Sequence, residues 1–130
     1  MDAGDFAGVA ALFDGATYGP AGGPMLKGCA ELEAVLRSML QLHDGTPATK
    51  HVTTNVIVEI DDDGRRATAR SYFTVLQALA DLPLQVIVAG RYHDRFVRDE
   101  GGWRFAERVV WMDLTGDLSR HLVGYLTRSR

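Results

Sequence analysis

Residues 50–73, KHVTTNVIVEIDDDGRRATARSYF, decide how the rest of the chain is read. From His51 to Ile60 the run is rich in β-branched residues, which suit a pleated, half-buried surface better than a helix. It closes on DDDG, where Asp63 and Gly64 favour a tight hairpin turn. A second strand therefore starts at Arg65 and alternates small or polar residues with Tyr72, Phe73, Val75 and Leu76. It ends near Leu79, ahead of Asp81 and Pro83.

Outward from this hairpin the pattern continues. A third strand is expected from Leu84 to about Arg98, and the turn DEGG hands over to a fourth, Trp103 to about Leu114. Such short connections imply antiparallel neighbours. The tail, Asp117 to Tyr125, is expected to form a final short helix. Upstream, residues 5–13 place Phe6, Val9, Ala10 and Phe13 at helical spacing, with Asp5 in position to cap the start. The following DGATYGPAGGPMLKG holds five glycines and two prolines and reads as a mobile flap with short extended pieces. From Cys29 to Leu42 the positions Leu32, Val35, Leu36, Met39 and Leu40 form one apolar stripe, so this is the second helix. Gly45 and Pro47 end it.

A chain of 130 residues, 46% of them hydrophobic, suits one domain with its own core, taken here as residues 1–130. Its net charge of −3 offers no footprint for a polyanion, so nucleic acid is not an expected partner. The one cysteine, Cys29, cannot form an internal disulfide, which suits a reducing cytoplasm. No apolar run reaches the ~18 residues of a membrane span, and the start MDAGDFAGVA lacks the pattern of a signal peptide. No membrane partner is expected. Both faces of 84–89 and of VVWM, residues 109–112, are apolar, and the two helices can cover only one side of a sheet. The second side would bury itself in a two-fold homodimer through the outer sheet face, or else the sheet curls tightly enough to bury both sides in a monomer.

Four stretches in order, DAGDFAGVAALF, the KG at 27–28, KHVTTNVIVEIDDDGRRATARSYF and AGRYHDRFVRDEGGWRFAERVV, resemble the SnoaL-like polyketide cyclase and dehydratase group of the nuclear transport factor 2-like superfamily. The resemblance covers most of the chain. It implies an α+β fold: a cone in which a curved antiparallel sheet wraps around N-terminal helices and encloses a hydrophobic pocket. It also implies a long helix ahead of the DAGDF segment, with which this sequence almost begins. A pocket without that helix would be less closed to water.

In the dehydratases and dehydrochlorinases of this resemblance, a histidine opening the strand after the second helix is paired with an aspartate at the end of the first family helix. Those positions fall on His51 and Asp2. A carboxylate on one ring nitrogen fixes the tautomer, and the other nitrogen then removes a proton from the substrate. The plainer alternative is that His51 bonds backbone at the start of a strand. Asn55 shares its strand parity with His51 and Thr53, so it either contacts substrate or pins the strand. On the third strand Tyr92 and Asp94 are assigned to the pocket face with Val86, Val88 and Phe96, and Arg91, His93 and Arg95 to the other. Asp94 is either a second acid or base or the partner of Arg108 across the strands. Tyr18 is a candidate hydrogen-bond donor to a ligand, and Trp111 a candidate pocket wall.

Other chemistries lack support. There is no HxxxH or CxxC spacing for a metal, DDDG lacks the spaced oxygens of a calcium loop, and the glycines at 15, 19, 22 and 23 do not sit between a strand and a helix. No serine lies in a GxSxG setting. No metal and no cofactor are expected. Two classes remain: a cofactor-independent lyase or isomerase acting on a small hydrophobic molecule with His51 as base, and a non-catalytic ligand-binding or assembly module of the same fold.

Overall fold

The computed structural model describes residues 1–125. Helix α1 is short, Phe6–Ala11, and Asp5 caps it by accepting the Gly8 backbone N–H at 2.8 Å. Helix α2, Gly28–Met39, starts with no cap from the Lys27 side chain. Instead Glu31 reaches back to the Lys27 backbone N–H at 2.7 Å. Four long strands follow: β3 (Thr49–Ile60), β4 (Arg66–Leu79), β5 (Leu82–Asp99) and β6 (Gly102–Thr115). Each pairs antiparallel with the next.

The glycine-rich segment between the helices is not the flap that its composition suggests. Strand β1, Thr17–Pro20, runs parallel to β6 and pairs with the two-residue β2, Leu26–Lys27. The β6 edge would otherwise leave a row of unpaired backbone groups, and β1 fills it. The sheet is six-stranded, in the order β2-β1-β6-β5-β4-β3, curved and unclosed. The tail also departs from expectation. Residues 117–123 form turns rather than a helix, and Leu40 and Leu122 make an isolated antiparallel bridge. One turn closes within it, His121 and Leu122 N–H to Leu118 O at 3.0 and 2.9 Å, and Val123 N–H then bonds outward to Met39 O at 2.8 Å instead of continuing a helix.

Two apolar clusters stabilise the fold. One joins the helices through Phe6, Ala10, Phe13, Leu32, Leu36 and Leu40. The other joins the sheet to the tail through Phe73, Val75, Ile87, Val88, Tyr92 and Leu118. Phe13 stacks on Phe105 of β6 with ring centroids 4.5 Å apart, which fastens the end of α1 to the sheet.

Five register shifts interrupt the pairing of the long strands, and three of them bear on the site. A shift in the β3–β4 pairing between Thr54 and Ile57 accompanies a left-handed Asn55, φ 54°. A bulge at Ile87 separates Val88, which is buried, from Val86, which is 51% exposed. The assignment of Val86 to the same core face as Val88 is therefore corrected. A third shift, between Ala89 and Gly90 in the β5–β6 pairing, lets the β6 backbone approach closely. A side chain at Gly90 would meet the Trp111 carbonyl oxygen and the Phe73 ring.

Candidate active site

A cavity of about 220 Å³ lies between the two core clusters. Helix α2 supplies Leu32, Leu36 and Met39 as one wall, and the sheet supplies Phe73, Val75, Val88, Val110 and Met112 as the other. The tail closes it with Leu118 and Leu122. Into this apolar lining project only Tyr18, His51, Tyr92 and His121, among the described residues, as polar side chains. An apolar cavity with a few convergent polar groups is the usual form of a small-molecule site.

Asp2 and His51 meet at its rim. His51 Nδ1 lies 2.5 Å from Asp2 Oδ1, and Asp2 Oδ2 accepts the His51 backbone N–H at 2.8 Å. Thr49, two residues earlier on β3, donates its hydroxyl to Asp2 Oδ1 at 2.8 Å. Strand parity explains the set, since Thr49 and His51 point to the same side of β3. Burial opposes ionisation of Asp2, but the hydrogen bonds from the His51 backbone, the His51 ring and Thr49 outweigh it and hold the carboxyl below its ordinary value. An ionised Asp2 requires a proton on Nδ1, so Nε2 carries the lone pair.

Tyr18 and Tyr92 line the same cavity as this base. Burial raises the pKa of both phenols, that of Tyr92 to about 12, so each is a protonated donor near neutrality. Neither hydroxyl bonds another described residue. Asp94 is buried behind Tyr92, and both of its oxygens are taken by Arg108, at 2.8 and 2.9 Å. The Arg108 guanidinium lies 3.8 Å from the Tyr92 ring centroid. Of the two readings of Asp94, the partner of Arg108 is the one whose geometry is formed.

Two candidates lie elsewhere. The β3 irregularity turns Asn55 out of step with His51, and it lines a cleft on the outer face with Ile57, Arg70, Tyr72, Arg91 and His93. Trp111 alternates with the cavity residues Val110 and Met112, and so it too faces outward. There it packs against His93, at 4.3 Å between centroids, and under the Arg91 guanidinium. It is not a pocket wall. Sequence reading missed His121, because a tail expected to be helical gave no reason to aim any one residue at the pocket. Among the described residues no three His, Cys, Asp or Glu side chains come together as a metal site, and no helix is long and apolar enough to cross a membrane.

Comparison with known proteins agrees with this architecture. A family model described as a SnoaL-like domain matches residues 1–109. Aln2 from a Streptomyces species is 32% identical, with 87% of this chain and 80% of that one covered and a TM-score of 0.71. ActVI-ORFA from Streptomyces coelicolor is 27% identical over 86% of this chain and 85% of its own, TM-score 0.69. An NTF2-like protein with a cystatin-like fold from Novosphingobium aromaticivorans is 24% identical over 92% and 75%, TM-score 0.71. No curated protein matches the chain. The model match over most of the sequence, together with these shared folds, shows that the chain belongs to the SnoaL-like domain family and has the nuclear transport factor 2-like, cystatin-like fold.

Proposed function

We propose that the protein is a cofactor-independent lyase or isomerase acting on a small, largely apolar molecule, with His51 as general base and Asp2 as its partner. The observation that carries this reading is the 2.5 Å contact between His51 Nδ1 and an ionised Asp2 at the rim of an apolar cavity. His51 Nε2 takes a proton from a substrate carbon, and Asp2 stabilises the imidazolium that forms. In an isomerisation the electron pair of the broken C–H bond moves into the substrate, and the proton returns at another atom. In an elimination the pair forms a C=C bond as the leaving group departs, and the imidazolium proton completes a molecule of water. Tyr18 and Tyr92 hydrogen-bond the oxygen on which negative charge develops. The reading includes a homodimer through the outer sheet face, where Val52, Ile57, Tyr72, Val86 and Leu114 are exposed.

Proton abstraction can be tested before the natural substrate is known. Cyclic ketones such as 1-indanone are incubated with the protein in D2O, and loss of the α-proton signal is followed by NMR. The expected result is exchange above the buffer rate that falls about 10²–10⁴-fold in His51→Ala. Ketones that bind without exchanging would instead favour the ligand-binding module.

A further inference from the structure

The cavity holds a second histidine that the His51 and Asp2 pair does not use. His121 is 7% exposed, and its ring lines the cavity. Its Nδ1 is sealed from solvent with no hydrogen-bond partner. A buried, unpaired N–H is rarer and more costly than a bare acceptor, so the neutral ring carries its proton on Nε2. Nε2 is then the ring nitrogen able to meet a ligand, and it meets it as a donor.

The tail is fastened in a way that fixes this ring. Gln41 donates its side-chain amide to Ser119 O and Leu122 O at 2.7 and 2.9 Å, and its backbone N–H to His121 O at 2.9 Å. Buried Gln77 on β4 and His43 both donate to Arg120 O, at 3.1 and 2.8 Å. The carbonyls of residues 119–122 are thus held by the α2–β3 connection and by β4, and the imidazole has little freedom to swing out of the cavity. An apolar side chain would fill the same place without leaving a nitrogen unpaired, so packing alone does not account for a histidine here.

We propose that His121 donates a hydrogen bond from Nε2 to a carbonyl oxygen of the substrate and holds it against the His51 base, which makes the substrate class a ring ketone rather than an oxygen-free hydrocarbon. This rests on the reading of the cavity as a proton-transfer site. Burial, with the positive charge of a protonated His51 as a lesser cause, lowers the His121 pKa to about 4, and the nearby Asp2 only partly offsets it. The ring is therefore a neutral donor near pH 7, as polarising a carbonyl demands.

The test compares 1-indanone with indane, two bicyclic molecules that differ by one carbonyl, binding to the full chain. With 15N-histidine label, 1-indanone is expected to shift the His121 ring-nitrogen signals while indane leaves them in place. 1-Indanone also binds about fivefold more tightly than indane in the wild type. In His121→Phe, which keeps a ring of similar bulk and leaves the Tyr18 and Tyr92 hydroxyls in place, the preference for 1-indanone shrinks and indane keeps its affinity. Should that variant fail to fold, His121→Gln serves, and the wild-type nitrogen signals need no variant. Equal binding of both ligands to wild type, with unmoved His121 signals, overturns the proposal. So does a carbonyl preference that is undiminished in His121→Phe. The α-proton exchange measurement separates the two readings. Exchange with a His121-independent preference sinks only the role of His121, whereas a His121-dependent preference without exchange sinks only the role of His51.

Discussion

Asp2 holds His51 twice, by the ring Nδ1 at 2.5 Å and by the backbone N–H at 2.8 Å, so one carboxylate fixes both the tautomer of the base and the start of the strand that carries it. Asp2→Asn keeps an acceptor for one of these bonds but removes the charge that stabilises the imidazolium. Ketone exchange should fall by about 10²–10⁴-fold, while the urea midpoint moves little. An exchange rate unchanged in Asp2→Asn would remove Asp2 from the mechanism.

The Asp94 and Arg108 pair makes the opposite prediction, a large effect on stability. Asp94 is 5% exposed and Arg108 22%, so Asp94→Asn leaves a buried guanidinium without its counter-charge. A loss of about 3 kcal/mol is expected in urea unfolding. The double variant Asp94→Leu/Arg108→Met should recover much of it, because no unpaired charge remains. A single variant as stable as wild type would show that the pair is not desolvated.

Stability should depend on pH through His121. Its folded pKa, about 4, lies below the ordinary 6.5, so between these values the unfolded chain binds more protons. The stabilisation from keeping this ring neutral is complete above about pH 6.5 and is lost as pH falls toward 4, amounting to about 3 kcal/mol. The groups acting on it are His51, Asp2 and His43. Urea midpoints measured from pH 7 to 4.5 should fall steeply in wild type and more gently in His121→Phe. Identical slopes would assign the pH dependence to other groups. The contribution of Asp2, whose pKa is lowered, is lost only below its ordinary value of 3.8.

Gly90 should accept no side chain. An added Cβ would meet the Trp111 carbonyl oxygen and, at 2.8 Å, two carbons of the Phe73 ring. Both lie in the packed sheet, so Gly90→Ala should cost about 1–3 kcal/mol. It should also shrink the cavity that Phe73 lines, and a weaker affinity for indane is the corresponding binding result.

The proposed homodimer predicts a mass twice the 14.2 kDa chain, 2 × 14.2 = 28.4 kDa, in light scattering. Val86→Glu combined with Leu114→Glu places charge on the exposed outer face and should give the monomer mass with the fold retained. A wild type that is monomeric at every concentration tested would remove the dimer.

Local chemistry carried most of the fold into the sequence. Period-2 alternation and β-branched runs placed every end of the four long strands to within two residues, and the stripe from Leu32 to Leu40 placed α2. Asp63 and Gly64 marked the hairpin, and Gly64 adopts φ 66° there. The SnoaL-like resemblance named His51 and Asp2, and the structure brings them together. These features depend on residues near one another in the chain or on a pattern shared with relatives, and a sequence records both.

What only the tertiary structure decided depends on where one strand slips against another. A single extra residue at Ile87, and the irregularity at Asn55, reverse which side chains face inward, so parity counted from the sequence misplaced Val86 and Asn55. Trp111 and its neighbours Val110 and Met112 are all large and apolar, and composition offered no means of choosing which of them lines the cavity. The glycine-rich segment became strand β1 because the β6 edge needed hydrogen-bond partners, and the tail gave up helical bonds for bonds to Met39, Gln41, His43 and Gln77. Those partners lie about 40 to 80 residues away along the chain, and that long-range bonding aims His121 into the cavity, where no local pattern could place it.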